Sequence, residues 1–296
     1  MKKIGEFLLA KDQNAIAVAF FCALLSVFYL PTGFIAAIIV GLVTLQKGPK
    51  SGLWALAWIA LPTIAMLVLH RVGSFDVLFI RCVTMWIFAS LLYRYKSWHV
   101  LLEWIAITGI ALILLLHHFI PHLRQWWIAE LTTYIQQLVT ASHWKLAASP
   151  AEFAARLAPI ASGVVLFFFF SSVLCELFVA RWWQTTIVNP GSFAKEFIQI
   201  RINPFLTAIV LVLGILLLCK IGSVQDLIPL AILPFFIAGL SFLHFWTVQG
   251  KKFLFGTVLV YTTLFFLPAF VVSGLGLIAL LDSWCHFRKK RLEQLT

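Results

Sequence analysis

Apolar runs separated by short polar breaks recur along the chain, at residues 15–30, 34–45, 53–69, 77–93, 98–118, 160–180, 204–219, 227–248 and 253–281. Runs near about 20 residues match the hydrocarbon core of a bilayer, so the pattern predicts membrane-spanning helices. The first two runs flank Pro31, Thr32 and Gly33. Both are shorter than a comfortable span, and they read as a tight hairpin of short helices or as one broken helix. The last run is interrupted by Pro268 and fits either one tilted helix or a hairpin broken there. Pro229 and Pro234 predict bends in 227–248. Residues 121–158 are too polar to span. Within them Trp127, Leu131, Tyr134, Leu138 and Ala141 fall at helical spacing, which predicts a helix lying along the membrane surface. Ser149, Pro150 and Glu152 form a capping-box pattern that starts a second helix.

The bend at residues 181–203 divides the runs into two groups. Arg181, Trp182 and Trp183 suit a helix end in the headgroup layer. Asn189, Pro190, Gly191 and Ser192 read as a turn. Phe193, Phe197 and Ile200 then follow at i, i+4, i+7, with Lys195, Glu196, Gln199 and Arg201 on other faces. This predicts a short helix resting apolar side down on the membrane. Asn203 and Pro204 cap and start the next span.

Composition narrows the class. Of 296 residues, 62% are hydrophobic and 11% charged, and mean hydropathy is +1.01. A soluble domain carries about a quarter charged residues, so lipid is the solvent that suits this surface. The net charge of +11 is scattered between apolar runs, where orientation signals lie, and this pattern excludes a nucleic-acid partner. With both Pro-broken stretches folded as hairpins, sixteen Lys and Arg fall on the cytoplasmic side and five outside. That count predicts ten short elements with both termini cytoplasmic. The polar lead to Asn14 does not look like a cleaved signal peptide. Cys22, Cys82, Cys175, Cys219 and Cys285 lack metal or redox spacing and read as small buried hydrophobes.

The predicted fold class is therefore an all-α, polytopic integral membrane helix bundle. It has about eight to ten transmembrane helices, several short or Pro-broken, plus surface-lying amphipathic helices. The whole chain, 1–296, is one membrane domain. Its parts are an N-terminal helix group (1–119), an external amphipathic segment (120–159), a C-terminal helix group (160–284) and a basic cytoplasmic tail (285–296).

Ionisable groups inside spans are costly in lipid and are the first functional suspects. Glu176 lies about one turn before Arg181, and a pairing with Arg181 or Arg201 is the bland expectation for it. Arg81 reads as a snorkelling interface arginine. Asp282, at the end of the last run, is placed to pair with Arg288. His244 reads as a hydrogen-bonded core histidine. His117, His118 and His122 cluster at the end of a span, but Pro121 interrupts them and no carboxylate is close in sequence, so they read as interfacial rather than metal-binding. No nucleotide-binding or nucleophile-elbow motif occurs. The expectation is a non-enzyme without cofactor or metal, unable to drive transport with ATP alone. An enzyme acting on lipid ranks third.

The order Ala-Arg-Trp-Trp-Gln at 180–184, Asn-Pro-Gly-Ser-Phe at 189–193, Glu-Phe-x-x-x-Arg at 196–201 and Leu-x-x-Leu-Asp-Ser-Trp-x-x-Phe-Arg ending at Arg288 resembles the YybS-like family of uncharacterised bacterial inner-membrane proteins. Where that family usually has Asp before Phe-Arg, this chain has His286. The resemblance implies a multi-pass protein of the bacterial inner membrane, distantly similar to the substrate-binding S components of energy-coupling-factor transporters. Lys47, Gly48, Pro49, Lys50, Ser51 and Gly52 faintly match the Gly-rich turn of such subunits. The implied partners are the bilayer and a membrane or ATPase subunit, and a homo-oligomer is compatible with the sequence. The leading reading is small-solute binding or transport in the bundle interior, between the N-terminal hairpin and the C-terminal spans. Glu176, Arg181, Asn189, Gly191, Glu196, Arg201, Asp282 and Arg288 serve there as binding or coupling residues. The alternative is a membrane scaffold or assembly factor acting through a membrane partner.

Overall fold

Wherever the chain carries an apolar run, it is helical. The structure, a computed structural model, describes residues 2–26, 31–68, 74–142, 148–219, 222–250, 252–285 and 287–288. His286 and residues 289–296 of the basic tail lie outside the described residues, as do Arg71, Lys145, Lys220 and Lys251, which entered the charge count. In order, the helices are α1 (Lys2–Ala10), α2 (Asp12–Leu25), α3 (Pro31–Lys47), α4 (Pro49–Val68), α5 (Ser74–Tyr95), α6 (Trp98–Phe119), α7 (Leu123–Ser142), α8 (Pro150–Leu157), α9 (Ala161–Val188), α10 (Ser192–Phe197), α11 (Pro204–Leu218), α12 (Ile228–Gln249), α13 (Lys252–Phe266) and α14 (Pro268–Cys285). Short 3-10 turns at Ala158–Ile160 and Gly222–Leu227 lead into α9 and α12. No strand occurs among the described residues.

Among the described residues, five helical stretches are long and apolar enough to cross a membrane: Val77–Tyr95, Trp98–Phe119, Pro150–Val188, Val224–Gln249 and Pro268–Cys285. The chain is thus an all-α, membrane-embedded protein. α1 and α2 reach that standard only as a pair, and they are bent by 111°. Pro31–Lys47, Pro204–Leu218 and Phe253–Phe266 are apolar but shorter. Each of the ten expected elements is present as a helix among the described residues, and α2, α3, α11 and α13, at 14, 17, 15 and 15 residues, fall short of a full span.

The helices fall into two compact units. The first contains Met1–Leu101 and Phe170–Ile198. At its centre α3 packs on α2, α4 and α5. Pro31, Thr32 and Gly33 are the first turn of α3 rather than a break, in keeping with proline's tolerance at a helix start. A Cβ on Gly41 would stand 2.9 Å from Met85 Sδ and 3.2 Å from the Ala180 Cβ, so α3 approaches α5 and α9 through a residue without a side chain.

The second unit contains Leu102–Phe169 and Gln199–Thr296, with α12 at its centre. Thr247 meets Thr257, and His244 stacks near Tyr261. Residue numbers rise on α13 as they fall on α12, so these two run antiparallel. Gly276 lies against Ile232 and Phe235, while Arg288 sits on Ser241, so α14 runs parallel to α12. The stretch 253–281 is therefore a hairpin reversing at Leu267 and Pro268. Gly239 makes this possible: a Cβ there would collide with the carbonyl oxygen of Leu275. The expected helix starts hold, with the Ser149 hydroxyl accepting from the Glu152 N–H and the Asn203 side chain accepting from the Phe205 N–H.

Along α7 the buried side is marked by Leu123 and Ile135, with Trp127 and Leu131 of the predicted stripe half-buried. Tyr134, Leu138 and Ala141 are exposed. Spacing alone could not separate these two neighbouring faces.

Candidate functional site

In the first unit the expected bend forms a connected polar cluster. Gly191 adopts φ +86°, the conformation that the turn requires of glycine. After it α10 lasts only from Ser192 to Phe197. Its apolar side does not face outward: Phe193 and Phe197 pack on Phe178 of α9, and Trp98 joins them. Ile200, expected on the same stripe, lies beyond the helix and is buried in the second unit. Arg181 donates to both oxygens of Glu196, at 3.0 and 2.8 Å, and to Gln184 Oε1 at 2.6 Å. Gln184 in turn donates to the carbonyl of Leu45 and to Gln46 at the end of α3. The Arg181 and Glu196 side chains are about 30% exposed, 27% and 30% respectively, so water competes with the pair. Glu196→Ala is expected to lower stability by only about 1 kcal/mol or less, read as a small shift in thermal unfolding of the detergent-solubilised chain. Asn189 and Gly191 are exposed and contribute turn geometry.

Glu176 pairs with neither of the arginines expected for it. Its partner is Arg81 of α5, read from the sequence as a snorkelling residue. Arg81 also donates to Ser172 Oγ at 2.9 Å and lies 4.6 Å from the centre of the Phe34 ring.

In the second unit Asp282 and Arg288 pair, as their spacing suggested. The Arg288 side chain turns back on its own helix end and is only 1% exposed. Its Nε donates to Asp282 Oδ2 at 2.8 Å, Nη1 to Ser241 Oγ at 3.0 Å and Nη2 to the Ile200 carbonyl at 2.9 Å. Burial pushes the Arg288 guanidinium down from the usual arginine range, against the opposing pull of the Asp282 carboxylate and, adding to burial, the nearby Arg201 charge. Every strong donor is matched, so this cluster reads as a structural clasp. His244 Nδ1 donates to the Leu240 carbonyl at 2.9 Å, the core role expected of it.

The cavity lies where none of the eight expected residues is found. About 410 Å³ in volume, it sits in the second unit among the end of α6, the start of α7, the 3-10 turn before α9 and the one before α12. Its polar lining comprises His117, Arg124, Trp127, Ser162, Gln225 and Asp226. Asp226, 2% exposed, holds the corner together. Its Oδ1 accepts from the Gly163 N–H at 2.6 Å, and its Oδ2 lies 3.0 Å from His117 Nε2. A carboxylate suits this place because the first turn of α9 presents unpaired N–H groups and the positive end of the helix dipole. Trp127 Nε1 donates to Ser162 Oγ at 2.8 Å, which fixes one wall.

This arrangement divides the polar groups into two sets. Asp226 and Ser162 are engaged in holding the walls. His117 takes Asp226 at Nε2, so in the neutral ring Nδ1 is left as an acceptor toward a guest. Arg124 and Gln225, both exposed, supply a fixed cation and an amide. His118 stacks on Phe119 instead of joining His117. Among the described residues no three His, Cys, Asp or Glu side chains gather as a metal-ligating group.

Asp226 carried a faint local signal, being one of eleven acidic residues and lying just before an apolar run. Gln184, an amide in the first motif at the bend, was a similar clue. Set against known proteins, the chain matches no protein-family model, no curated protein and no solved structure.

Proposed function

We propose that this membrane-embedded chain binds a small polar solute in the cavity at His117 and Asp226, as a solute-binding or transport subunit that lacks an ATPase of its own. The observation that carries the reading is the cavity itself. Its volume falls in the usual range for small-molecule sites, and a few polar groups converge on it. The free groups, Arg124, Gln225 and His117 Nδ1, suit a guest with an anionic group and a hydrogen-bond donor. A scaffold role leads instead to an apolar, filled interior, so the cavity favours the solute reading. The resemblance to the YybS-like family and its distant likeness to S components supports the same choice.

Screening the purified chain in detergent against small carboxylates, phosphates and amino acids, with thermal stabilisation as the signal, tests this directly. A stabilising compound is expected to lose about ten- to a hundredfold in affinity in Arg124→Ala, the loss of one charge-assisted hydrogen bond. Arg124 is exposed, so the variant should fold as the parent does. A hit whose affinity is the same in Arg124→Ala and His117→Ala would place binding elsewhere and refute the assignment.

A further inference from the structure

A second polar site lies inside the first unit, in helices rather than at their ends. Glu176 is 5% exposed, and one of its carboxylate oxygens, Oε1, takes the Arg81 guanidinium. The other, Oε2, is buried and meets no hydrogen-bond donor among the described residues. An oxygen of an ionised carboxylate left without a donor away from water costs several times what a satisfied one does. The simplest donor for it is a proton. Protonation also leaves Arg81 supported, because that guanidinium keeps Ser172 Oγ and the Phe34 ring.

We propose that Glu176 is a proton-exchange site within a membrane helix, switching between an ionised form clasped to Arg81 and a neutral acid carrying its proton on Oε2. One O–H bond forms at Oε2 as an O–H bond of a hydronium ion breaks, leaving water. Arg81 stays protonated throughout, and the pair moves from net charge zero to +1. The other titratable groups facing Glu176 are the thiols of Cys82 on α5 and Cys175 on α9. Such a site gives the chain a means of coupling to a proton gradient without an ATPase, and it stands independently of the cavity.

The test is infrared spectroscopy of the full chain in lipid nanodiscs, with glutamate carbon-13 labelled, titrated from about pH 9 to about pH 5. A carboxylic-acid C=O band that shifts with the label is expected to grow on acidification. It should vanish in Glu176→Gln. Among the described residues the other glutamate with a buried, unpartnered oxygen is Glu103, so the band should persist in Glu103→Gln. If Glu176→Gln fails to fold, Glu176→Asp keeps a carboxyl at the site but places it outside the glutamate label, so the labelled band should vanish there too. Absence of any titrating glutamate band, its survival in Glu176→Gln, or its loss in Glu103→Gln would overturn the proposal.

Discussion

Asp282→Ala is expected to cost about 3–5 kcal/mol, enough to unfold much of the second unit at ordinary temperature. The reason lies in what remains after the change. Arg288 is sealed from water, and its guanidinium keeps a hydroxyl and a carbonyl but loses the Asp282 counter-charge. A buried cation without an anion is penalised far more than the pair is rewarded. Arg288→Ala should cost nearly as much, since it strands the Asp282 carboxylate and opens a void beneath Ser241 and the Ile200 carbonyl. The double replacement Asp282→Leu with Arg288→Leu removes both charges, and should recover a large part of the loss. Reversible unfolding of the four proteins in mixed detergent would measure these differences. Single-variant losses below about 1 kcal/mol would mean that water reaches the clasp.

The contrast with Glu196→Ala isolates burial as the deciding variable. Both clasps join an arginine to a carboxylate in good geometry. One is closed to solvent, and the other is nearly a third open. Their expected costs differ severalfold for that reason alone, not because of distance, which is 2.8 Å in each.

Local signals and long-range ones fared differently in the sequence. The apolar runs, the caps at Ser149 and Asn203 and the turn at Gly191 are properties of neighbouring residues, and each could be read directly; the reversal at Pro268 needed the count of positive charges along the whole chain to choose it over one tilted helix. The pairing of Asp282 with Arg288 belongs to the same group, since six positions separate them. Arg81 and Glu176 lie 95 positions apart, and His117 and Asp226 lie 109 apart. Nothing near either partner names the other, because the match depends on which helices become neighbours. Without that knowledge Arg81 looks like any arginine near a membrane surface, and Asp226 like any loop carboxylate. The short helix after Gly191 failed in another way. The spacing of Phe193 and Phe197 was read correctly as one face, but a period cannot say whether that face meets lipid or Phe178. Aromatic rings satisfy either environment.

Gly163→Ala should disable the cavity, although glycine and alanine differ by one methyl group. A Cβ at 163 would run into the backbone carbonyl of Asp226, and backbone cannot swing aside as a flexible side chain can. The turn carrying Asp226 would have to move away from α9. That movement stretches the hydrogen bond from the Gly163 N–H and draws the carboxylate off His117, so wall and guest-facing histidine are lost together. Overpacking of this kind costs about 1–3 kcal/mol, and any bound solute should weaken by about a hundredfold or more. Asp226→Ala reaches the same end by another route: it keeps the backbone in place but orphans a buried N–H and frees the imidazole. The two variants should therefore give similar losses in a binding titration, and combining them should add little, since they break one unit. If Gly163→Ala bound solute as the parent does, the turn before α12 would have to be loose enough to yield, and the cavity would not be held by Asp226 at all.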